Sequence, residues 1–200
     1  MSLADRITLY RTILAPVFFI VYTLPVLFPG QFAGSAIWNV PLLWIIAVVS
    51  ELTDMFDGMA ARRYKQTSDF GKLFDPFADT LMQVTCFLCF VIDGILPAAL
   101  FLVVLYREFG IMFIRNLMLK KGIAMGARIS GKVKTVTYII AGAAALIYAS
   151  MRRLAVLDSA QPIVKISANV IFGISALFSV ISFFDYLSVY KSTGKAEHEK

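Results

Sequence analysis

The chain has 200 residues, a length typical of one domain, and 59% of them are hydrophobic, with a mean hydropathy of +0.77. Soluble domains are about 45–50% apolar, so this composition excludes an ordinary soluble protein and predicts an integral membrane protein. The net charge of +6 fits basic cytoplasmic loops and sites for anionic substrates better than it fits nucleic-acid binding.

The first predicted element is an apolar run from about residue 7 to residue 28, closed by Pro29 and Gly30. The run is long enough for a transmembrane helix. Arg6 and Arg11 at its start are also typical of a signal peptide, but no small-x-small cleavage site follows the run. We therefore predict a retained first span.

The second span is predicted from about residue 36 to residue 51, with its helix continuing to residue 64, and the third from about residue 71 to residue 90. A turn-rich break at residues 66–69 separates these helices. Cys86 and Cys89 in the third span form a C-x-x-C pair without a second ligand pair. We interpret them as packed thiols rather than as a zinc or redox site.

Four carboxylates flank this break. Asp54 and Asp57 lie three residues apart before it, and Asp75 and Asp79 lie four residues apart after it. Both spacings place two side chains on one helix face, so we expect a helical hairpin whose two helices direct four carboxylates to one point. Ionisable side chains just inside the apolar slab mark function by default.

The fourth span is predicted from about residue 97 to residue 119 and is interrupted by Arg107, Glu108 and Arg115. Arg107 and Arg115 are eight residues apart, about two turns, so they share a face. The structural alternatives are an ion pair to other helices for Arg107 and Glu108, and snorkelling of Arg115 to the interface.

The fifth and sixth spans are predicted from about residue 135 to 150 and from about 163 to 190. The predicted fold is an all-α integral membrane protein with six transmembrane helices and both termini cytoplasmic. It comprises a six-helix domain over residues 1–190 and a polar, disordered cytoplasmic tail over residues 191–200. Most of the 19 Lys and Arg residues fall on the predicted inner side, in agreement with the positive-inside rule.

A run of small residues in the fifth span permits close helix packing: Gly142, Ala143, Ala144 and Ala145. This run is the sequence feature that favours a homodimer.

Hard cations bind carboxylate clusters of the predicted kind. Mg²⁺ and Mn²⁺ take oxygen ligands, and two such ions can stabilise the attacking and leaving oxygens of an in-line phosphoryl displacement. Arg62 can hold a phosphate in a fork, and Gly58 leaves room for a ligand beside the backbone. A six-span cation transporter is the alternative, but carboxylates at one membrane face fit transport less well than carboxylates at the midplane.

The stretch over residues 54–79 resembles the CDP-alcohol phosphotransferase family. The family pattern is D-x2-D-G-x2-A-R-x8-G-x3-D-x3-D. It is met without a mismatch by Asp54, Asp57, Gly58, Ala61, Arg62, Gly71, Asp75 and Asp79. The resemblance implies a CDP-diacylglycerol donor, two divalent cations (Mg²⁺ or Mn²⁺), and a site in the cell or inner membrane that faces the cytoplasm.

The same resemblance implies roles for the four aspartates. Asp54, Asp57 and Asp75 correspond to metal ligands. Asp79 corresponds both to a ligand of the second ion and to the base that deprotonates the acceptor hydroxyl.

The resemblance also implies donor contacts within this stretch. Gly58 and Arg62 correspond to residues that contact the CDP-linked lipid, and Ser68 falls where some relatives place another donor contact.

Basic residues later in the chain indicate an acceptor that carries its own phosphate. Arg115, Lys132 and Lys134, together with Arg107, are expected to form a basic pocket on the inner face. This pocket does not separate glycerol 3-phosphate from inositol phosphate.

Three short stretches are similar to family members that use glycerol 3-phosphate: TLYR at residues 8–11, Arg107 and Glu108 with Arg115, and GKVKT at residues 131–135. Asp5 departs from the Asn that often precedes the first of them. We expect transfer of a phosphatidyl group from CDP-diacylglycerol to glycerol 3-phosphate, with release of CMP. The alternatives within the family are a phosphatidylinositol phosphate synthase and a cardiolipin synthase.

Overall fold

The computed structural model describes residues 3–32, 34–64, 69–120, 122 and 129–198, without the side chains of residues 3–7, 54–64, 69–73 and 193–198. These residues form α-helices joined by turns and include no strand. The helices are α1 (Leu3–Leu27), α2 (Ala36–Tyr64), α3 (Asp69–Ile92), α4 (Ala98–Lys120), α5 (Ile129–Leu154) and α6 (Gln161–His198).

Among the described residues, five stretches are long and apolar enough to cross a membrane: Thr8–Leu27, Ala36–Thr53, Phe74–Ile92, Ile129–Leu154 and Gln161–Ser192. The prediction of an all-helical protein with apolar spans is thereby confirmed. Helix α4 lies outside this set because Arg107, Glu108 and Arg115 interrupt its apolar run. Its 23 residues nevertheless extend about 34 Å, more than the thickness of a bilayer core.

The helices alternate in direction along the chain. The hydrogen-bonded pairs between helices show this. The pairs between α1 and α3 are Thr8–Asp75 and Tyr22–Asp93, and those between α4 and α6 are Arg107–Ser179 and Arg115–Tyr186. The pairs between α5 and α6 are Ser130–Asp185 and Tyr138–Ser179, and those between α2 and α5 are Asn39–Arg153 and Trp44–Ser150. In the first two sets both residue numbers rise together, so α1 is parallel to α3 and α4 is parallel to α6. In the last two sets the orders oppose, so α5 is antiparallel to α6 and α2. One end of the bundle therefore holds the starts of α1, α3 and α5 and the ends of α2, α4 and α6.

Aromatic side chains join the helices at the centre of the bundle. The ring of Phe87 on α3 lies 5.4 Å from that of Tyr138 on α5 and 4.9 Å from that of Phe172 on α6. Tyr22 on α1 meets Phe90 on α3 edge to face at 5.4 Å. Because buried aromatic rings contribute large contact areas, these pairs fix α1, α5 and α6 around α3.

Helix α1 packs against both helices of the predicted hairpin, a contact that the sequence prediction did not include. Both α2 and α3 pack mainly against α1. Phe18 and Tyr22 of α1 are fully buried in the core. The point at which four carboxylates were expected to meet is therefore bordered by a third helix.

Two helices extend further than the sequence predicts. Helix α5 begins at Ile129 rather than near residue 135, because polar residues such as Lys134 face the protein interior and so continue the helix. Helix α6 runs to His198, so the prediction of a disordered tail is wrong for residues 191–198. Lys, Ala and Glu are good helix formers, and extending an existing helix requires no new nucleus.

The small residues of α5 are used for packing within the chain. Ala141 and Ala145 are fully buried, and a Cβ on Gly142 would lie 3.9 Å from the ring of Phe87. Gly142, Ala143 and Ala144 are partly exposed, and the homodimer stays a prediction. Cys89 is buried and Cys86 is half-buried, which agrees with their interpretation as packed thiols.

A polar clamp closes the end of the bundle opposite the start of α1. Asp93, just after α3, accepts a 2.8 Å hydrogen bond from Tyr22 and pairs with Arg152. Arg153 lies 4.1 Å from the Tyr22 ring centroid and bonds to Asn39 on α2. The Asp93 carboxylate is 5% exposed, so one buried charge joins α1, α2, α3 and α5.

We predict that Asp93→Ala lowers the free energy of unfolding in detergent by about 3 kcal/mol, because it leaves two arginines without their carboxylate. Thermal unfolding of the purified protein measures this. Asp158→Ala is the matched control, since Asp158 is exposed and bonds to Gln161 in its own loop. Equal shifts for the two variants would contradict the role of the clamp.

Candidate functional site

A polar cavity of about 210 Å³ lies toward the end of the bundle that holds the start of α1. All six helices contribute to its lining. Its charged lining residues are Arg11, Glu51, Asp79, Arg107, Glu108, Arg115, Lys132 and Lys134. The structure therefore brings Asp79 together with all four residues of the predicted acceptor pocket.

Helix α1 holds both described aspartates of α3. The Thr8 hydroxyl donates a 2.5 Å hydrogen bond to Asp75, and the Arg11 guanidinium lies 2.9 Å from the carboxylate of Asp79. Thr8 and Arg11 are buried, whereas the Asp79 side chain is 39% exposed to the cavity. Thr8 and Arg11 are three residues apart on α1, and Asp75 and Asp79 are four residues apart on α3. Each spacing is about one helical turn, so the two contacts lie one turn apart along both helices. A buried guanidinium requires a carboxylate partner, and this requirement fixes the register of the two helices.

Glu108 forms a buried ion network with two of the predicted pocket cations. Its Oε1 lies 2.8 Å from Arg107 Nη1 and 2.9 Å from Lys134 Nζ. Arg107 also donates to the Ser179 carbonyl at 3.1 Å and to the Ser182 hydroxyl at 2.7 Å. The structural ion pair considered for Arg107 and Glu108 is thus present, and it links α4 to α5 and α6.

The other two pocket cations are held differently. Arg115 donates a 2.9 Å hydrogen bond to the Tyr186 hydroxyl, and its buried Nε has no hydrogen-bond partner among the described residues. Lys132 is exposed, and neither residue pairs with a carboxylate in the described part of the chain. Arg115 and Lys132 are therefore the cations best placed to bind an anionic ligand.

The remaining predicted site residues fall outside the described side chains. Asp54, Asp57, Gly58 and Arg62 lie in the last turns of α2, beyond Glu51 and toward the same end of the bundle. Ser68 lies outside the described residues altogether. The convergence of four carboxylates therefore stays a prediction.

Several lining residues were missed by the sequence prediction of the site. Arg11 was placed only within a short family-like stretch, and Glu108 was considered only as an ion-pair partner. Glu51 and Gln83 carried a usable signal, because both are polar side chains within apolar spans. Tyr186 gave no signal, since an aromatic residue in an apolar helix is ordinary core composition.

Comparison with known proteins places this geometry in a family. A family model described as CDP-alcohol phosphatidyltransferase matches residues 1–181. This chain belongs to the CDP-alcohol phosphatidyltransferase family. The resemblance inferred from residues 54–79 is thereby confirmed.

Three relatives match over most of their length. A Treponema pallidum protein named CDP-diacylglycerol–glycerol-3-phosphate 3-phosphatidyltransferase is 34% identical over 196 residues, covering 95% of this chain and 89% of its own. A Bacillus subtilis protein of the same name is 30% identical, covering 74% and 77%. A Mycobacterium tuberculosis protein named probable phosphatidylglycerophosphate synthase is 30% identical, covering 94% and 80%.

The described part of this phosphatidyltransferase fits the divalent cations that the family resemblance implies. Asp75 and Asp79 supply carboxylate oxygens one turn apart, and both are partly exposed. Oxygen ligands of this kind are those that Mg²⁺ and Mn²⁺ prefer. The donor set is therefore compatible with such ions, with Asp54 and Asp57 as the remaining candidates.

We predict that Glu108→Ala destabilises this phosphatidyltransferase by about 3–5 kcal/mol, because Arg107 and Lys134 are then buried without their shared carboxylate. Thermal unfolding in detergent measures the change. Lys132→Ala is the control, since it removes an exposed charge from the same cavity. A Glu108→Ala variant as stable as Lys132→Ala would contradict a structural role for the network.

Proposed function

We propose that this protein transfers a phosphatidyl group from CDP-diacylglycerol to glycerol 3-phosphate, giving phosphatidylglycerophosphate and CMP. The observation that carries the proposal is one cavity in which Asp79 lies with Arg115 and Lys132. A carboxylate that can act as a base, and two cations that pair with no carboxylate among the described residues, match the hydroxyl and the phosphate of one small molecule. The names of the Treponema pallidum and Bacillus subtilis relatives support the same reaction.

The cavity favours a small, phosphorylated acceptor. Its volume of about 210 Å³ suits a soluble alcohol phosphate better than a second lipid, which disfavours a cardiolipin synthase. Arg115 offers planar donors for a phosphate, and Lys132 adds a point charge. The five arginines and lysines that line the cavity also argue against the cation transporter, because their positive charges would repel a cation in the cavity.

In the proposed catalytic step Asp79 acts as the base. Its carboxylate accepts the proton of the acceptor hydroxyl, and the resulting oxygen attacks the phosphorus that bears diacylglycerol. A P–O bond forms to the acceptor, and the P–O bond to CMP breaks. Arg11, 2.9 Å from Asp79, orients the carboxylate. The basic residues hold the acceptor so that its hydroxyl lies close to the donor.

The donor is proposed to lie against the cytoplasmic end of α2. Arg62 would hold the diphosphate, Gly58 would allow close approach to the backbone, and Ser68 would add a contact. Asp54, Asp57, Asp75 and Asp79 would hold two divalent cations. Such ions neutralise the charge of the diphosphate and improve CMP as a leaving group.

We also propose six membrane crossings with both termini and the cavity on the cytoplasmic side. The alternating helix directions support this, and so does the burial of Arg107 and Glu108, which removes two charges of α4 from the lipid. Cysteine labelling from each side of the membrane tests the orientation. The homodimer is a separate proposal, tested by the mass of the purified protein in detergent.

We expect CMP release from CDP-diacylglycerol and Mg²⁺ with glycerol 3-phosphate, and its loss on chelation. Asp79→Asn should lower kcat by at least about 100-fold, because general-base removal typically costs that much, while donor binding is retained in part. CMP release with inositol phosphate or phosphatidylglycerol, but not with glycerol 3-phosphate, would show that the acceptor is wrongly assigned while the transfer reaction is correct. Near-normal turnover of Asp79→Asn would contradict its assignment as the base.

We expect Lys132→Ala and Arg115→Ala to raise the KM for glycerol 3-phosphate by about tenfold or more, since each removes a charged hydrogen bond to the phosphate. The KM for the donor should change little. Lys120→Ala is the control, because Lys120 is exposed at the end of α4 and does not line the cavity. Equal effects on both substrates would contradict the acceptor assignment.

A further inference from the structure

Tyr186 on α6 is an aromatic residue that contributes to the lining of the polar cavity. It is only 1% exposed. Its hydroxyl accepts a 2.9 Å hydrogen bond from Arg115 Nη2, and the guanidinium carbon of Arg115 lies 5.2 Å from the centroid of the ring. Tyr186 therefore contacts one of the two cations assigned to the acceptor phosphate, although the mechanism proposed above does not use it.

The Tyr186 hydroxyl has a hydrogen-bond donor that no described residue uses. A phenol can accept and donate at the same time, whereas a guanidinium can only donate. The bond from Arg115 therefore occupies a lone pair of the oxygen and leaves its proton available. Tyr186 makes no other hydrogen bond to the described residues. Because a buried donor without an acceptor is unfavourable, this position suits a ligand with an acceptor oxygen.

Arg115 keeps its charge at this place. Arg107, on the same helix, is paired with the carboxylate of Glu108, whereas the partner of Arg115 is a neutral phenol. A phenol holds the guanidinium in position without neutralising it. The Nε of Arg115 is also buried without a hydrogen-bond partner among the described residues. The pair of Arg115 and Tyr186 is therefore suited to an anion.

The start of α5 leaves free volume beside the hydroxyl. Gly131 lines the cavity, and a Cβ at this position would lie 3.5 Å from the Tyr186 hydroxyl oxygen. The preceding residue, Ser130, donates a 2.6 Å hydrogen bond to Asp185, the neighbour of Tyr186. This bond fixes the start of α5 on α6, and Asp185 itself does not line the cavity. Glycine thus leaves space for a ligand atom next to the hydroxyl.

We propose that the Tyr186 hydroxyl is a ligand of the acceptor phosphate, to which it donates a hydrogen bond. This inference rests on the proposed function. Arg115 donates to another oxygen of the same phosphate while it stays bound to the phenol, and Lys132 adds its charge. Lys132 is a flexible point charge, so the rigid phenol contributes direction that a lysine does not. Tyr186 takes part in no proton transfer, and its role is binding.

The test compares Tyr186→Phe with the wild type in CMP release from CDP-diacylglycerol and glycerol 3-phosphate. The variant keeps the ring and removes only the hydroxyl. We expect the KM for glycerol 3-phosphate to rise about tenfold, the effect of one lost hydrogen bond to a charged group. The kcat and the KM for the donor should change by less than about threefold, because the hydroxyl contributes to binding alone.

Inorganic phosphate serves as a probe for the anion without the glycerol. It should inhibit the wild type in competition with glycerol 3-phosphate. Its inhibition constant should rise in Tyr186→Phe by the same factor as the KM for glycerol 3-phosphate. A raised KM with an unchanged inhibition constant would place the hydroxyl against the glycerol part of the acceptor, and it would overturn the inference.

Two further variants complete the test. Tyr190→Phe is the matched control, since Tyr190 lies one turn later on α6, is half-buried and does not line the cavity. It should keep the wild-type KM. Gly131→Ala places a methyl group beside the Tyr186 hydroxyl, and alanine favours the helix. It should raise the KM for glycerol 3-phosphate and leave that for the donor unchanged.

A double variant separates a ligand from a residue that only positions Arg115. If the hydroxyl contacts the phosphate, adding Tyr186→Phe to Arg115→Ala should raise the KM for glycerol 3-phosphate by a further factor of about three or more. The absence of a further rise would mean that Tyr186 acts only through Arg115. That result would overturn its assignment as a ligand.

Failure of this inference differs from failure of the proposed function. A wild type that uses glycerol 3-phosphate, together with a Tyr186→Phe variant of unchanged KM, would overturn the inference alone and make Tyr186 a core residue. A wild type that releases no CMP with glycerol 3-phosphate would overturn the proposed function, and this inference with it.

Discussion

The ion pair between Arg11 and Asp79 is the contact on which the rest of the site depends. Arg11 is 1% exposed, and a guanidinium in such surroundings is stable only against a carboxylate. The contact fixes the rotation and register of α1 on α3, and the neighbouring bond from Thr8 to Asp75 repeats it one turn away. A helix that would otherwise be a simple membrane span thereby becomes a wall of the functional cavity.

A second constraint is the distribution of positive charge around that cavity. Five cations around one cavity repel each other, and Glu108 lowers this cost by pairing with both Arg107 and Lys134. Arg115 and Lys132 are left to bind ligand. The buried carboxylate therefore sets which cations hold the protein together and which are available for an anion. The clamp around Asp93 applies the same principle at the opposite end, where both arginines are bound to the protein.

The places where the sequence prediction failed have a shared cause. A prediction from hydrophobicity recognises a span by its apolar lipid-facing and core residues. It therefore places the end of the helix where polar residues begin. Helix α5 continues through such residues because Lys134 points into the bundle, toward Glu108. The hairpin prediction likewise considered only neighbours in sequence. It therefore missed α1, whose Thr8 and Arg11 lie more than sixty residues away from their partners along the chain.

The sequence by itself determined the all-helical membrane fold and the family, and it predicted a metal site at the four aspartates. Apolar runs and carboxylate spacing are local patterns, and they need no knowledge of packing. Only the tertiary structure decided which basic residues are bound to Glu108 and which are available, because pairing depends on distances between helices. It also decided that Tyr186 lies against both Arg115 and Gly131. These residues lie on α6, α4 and α5, and only the packing of these helices brings them together.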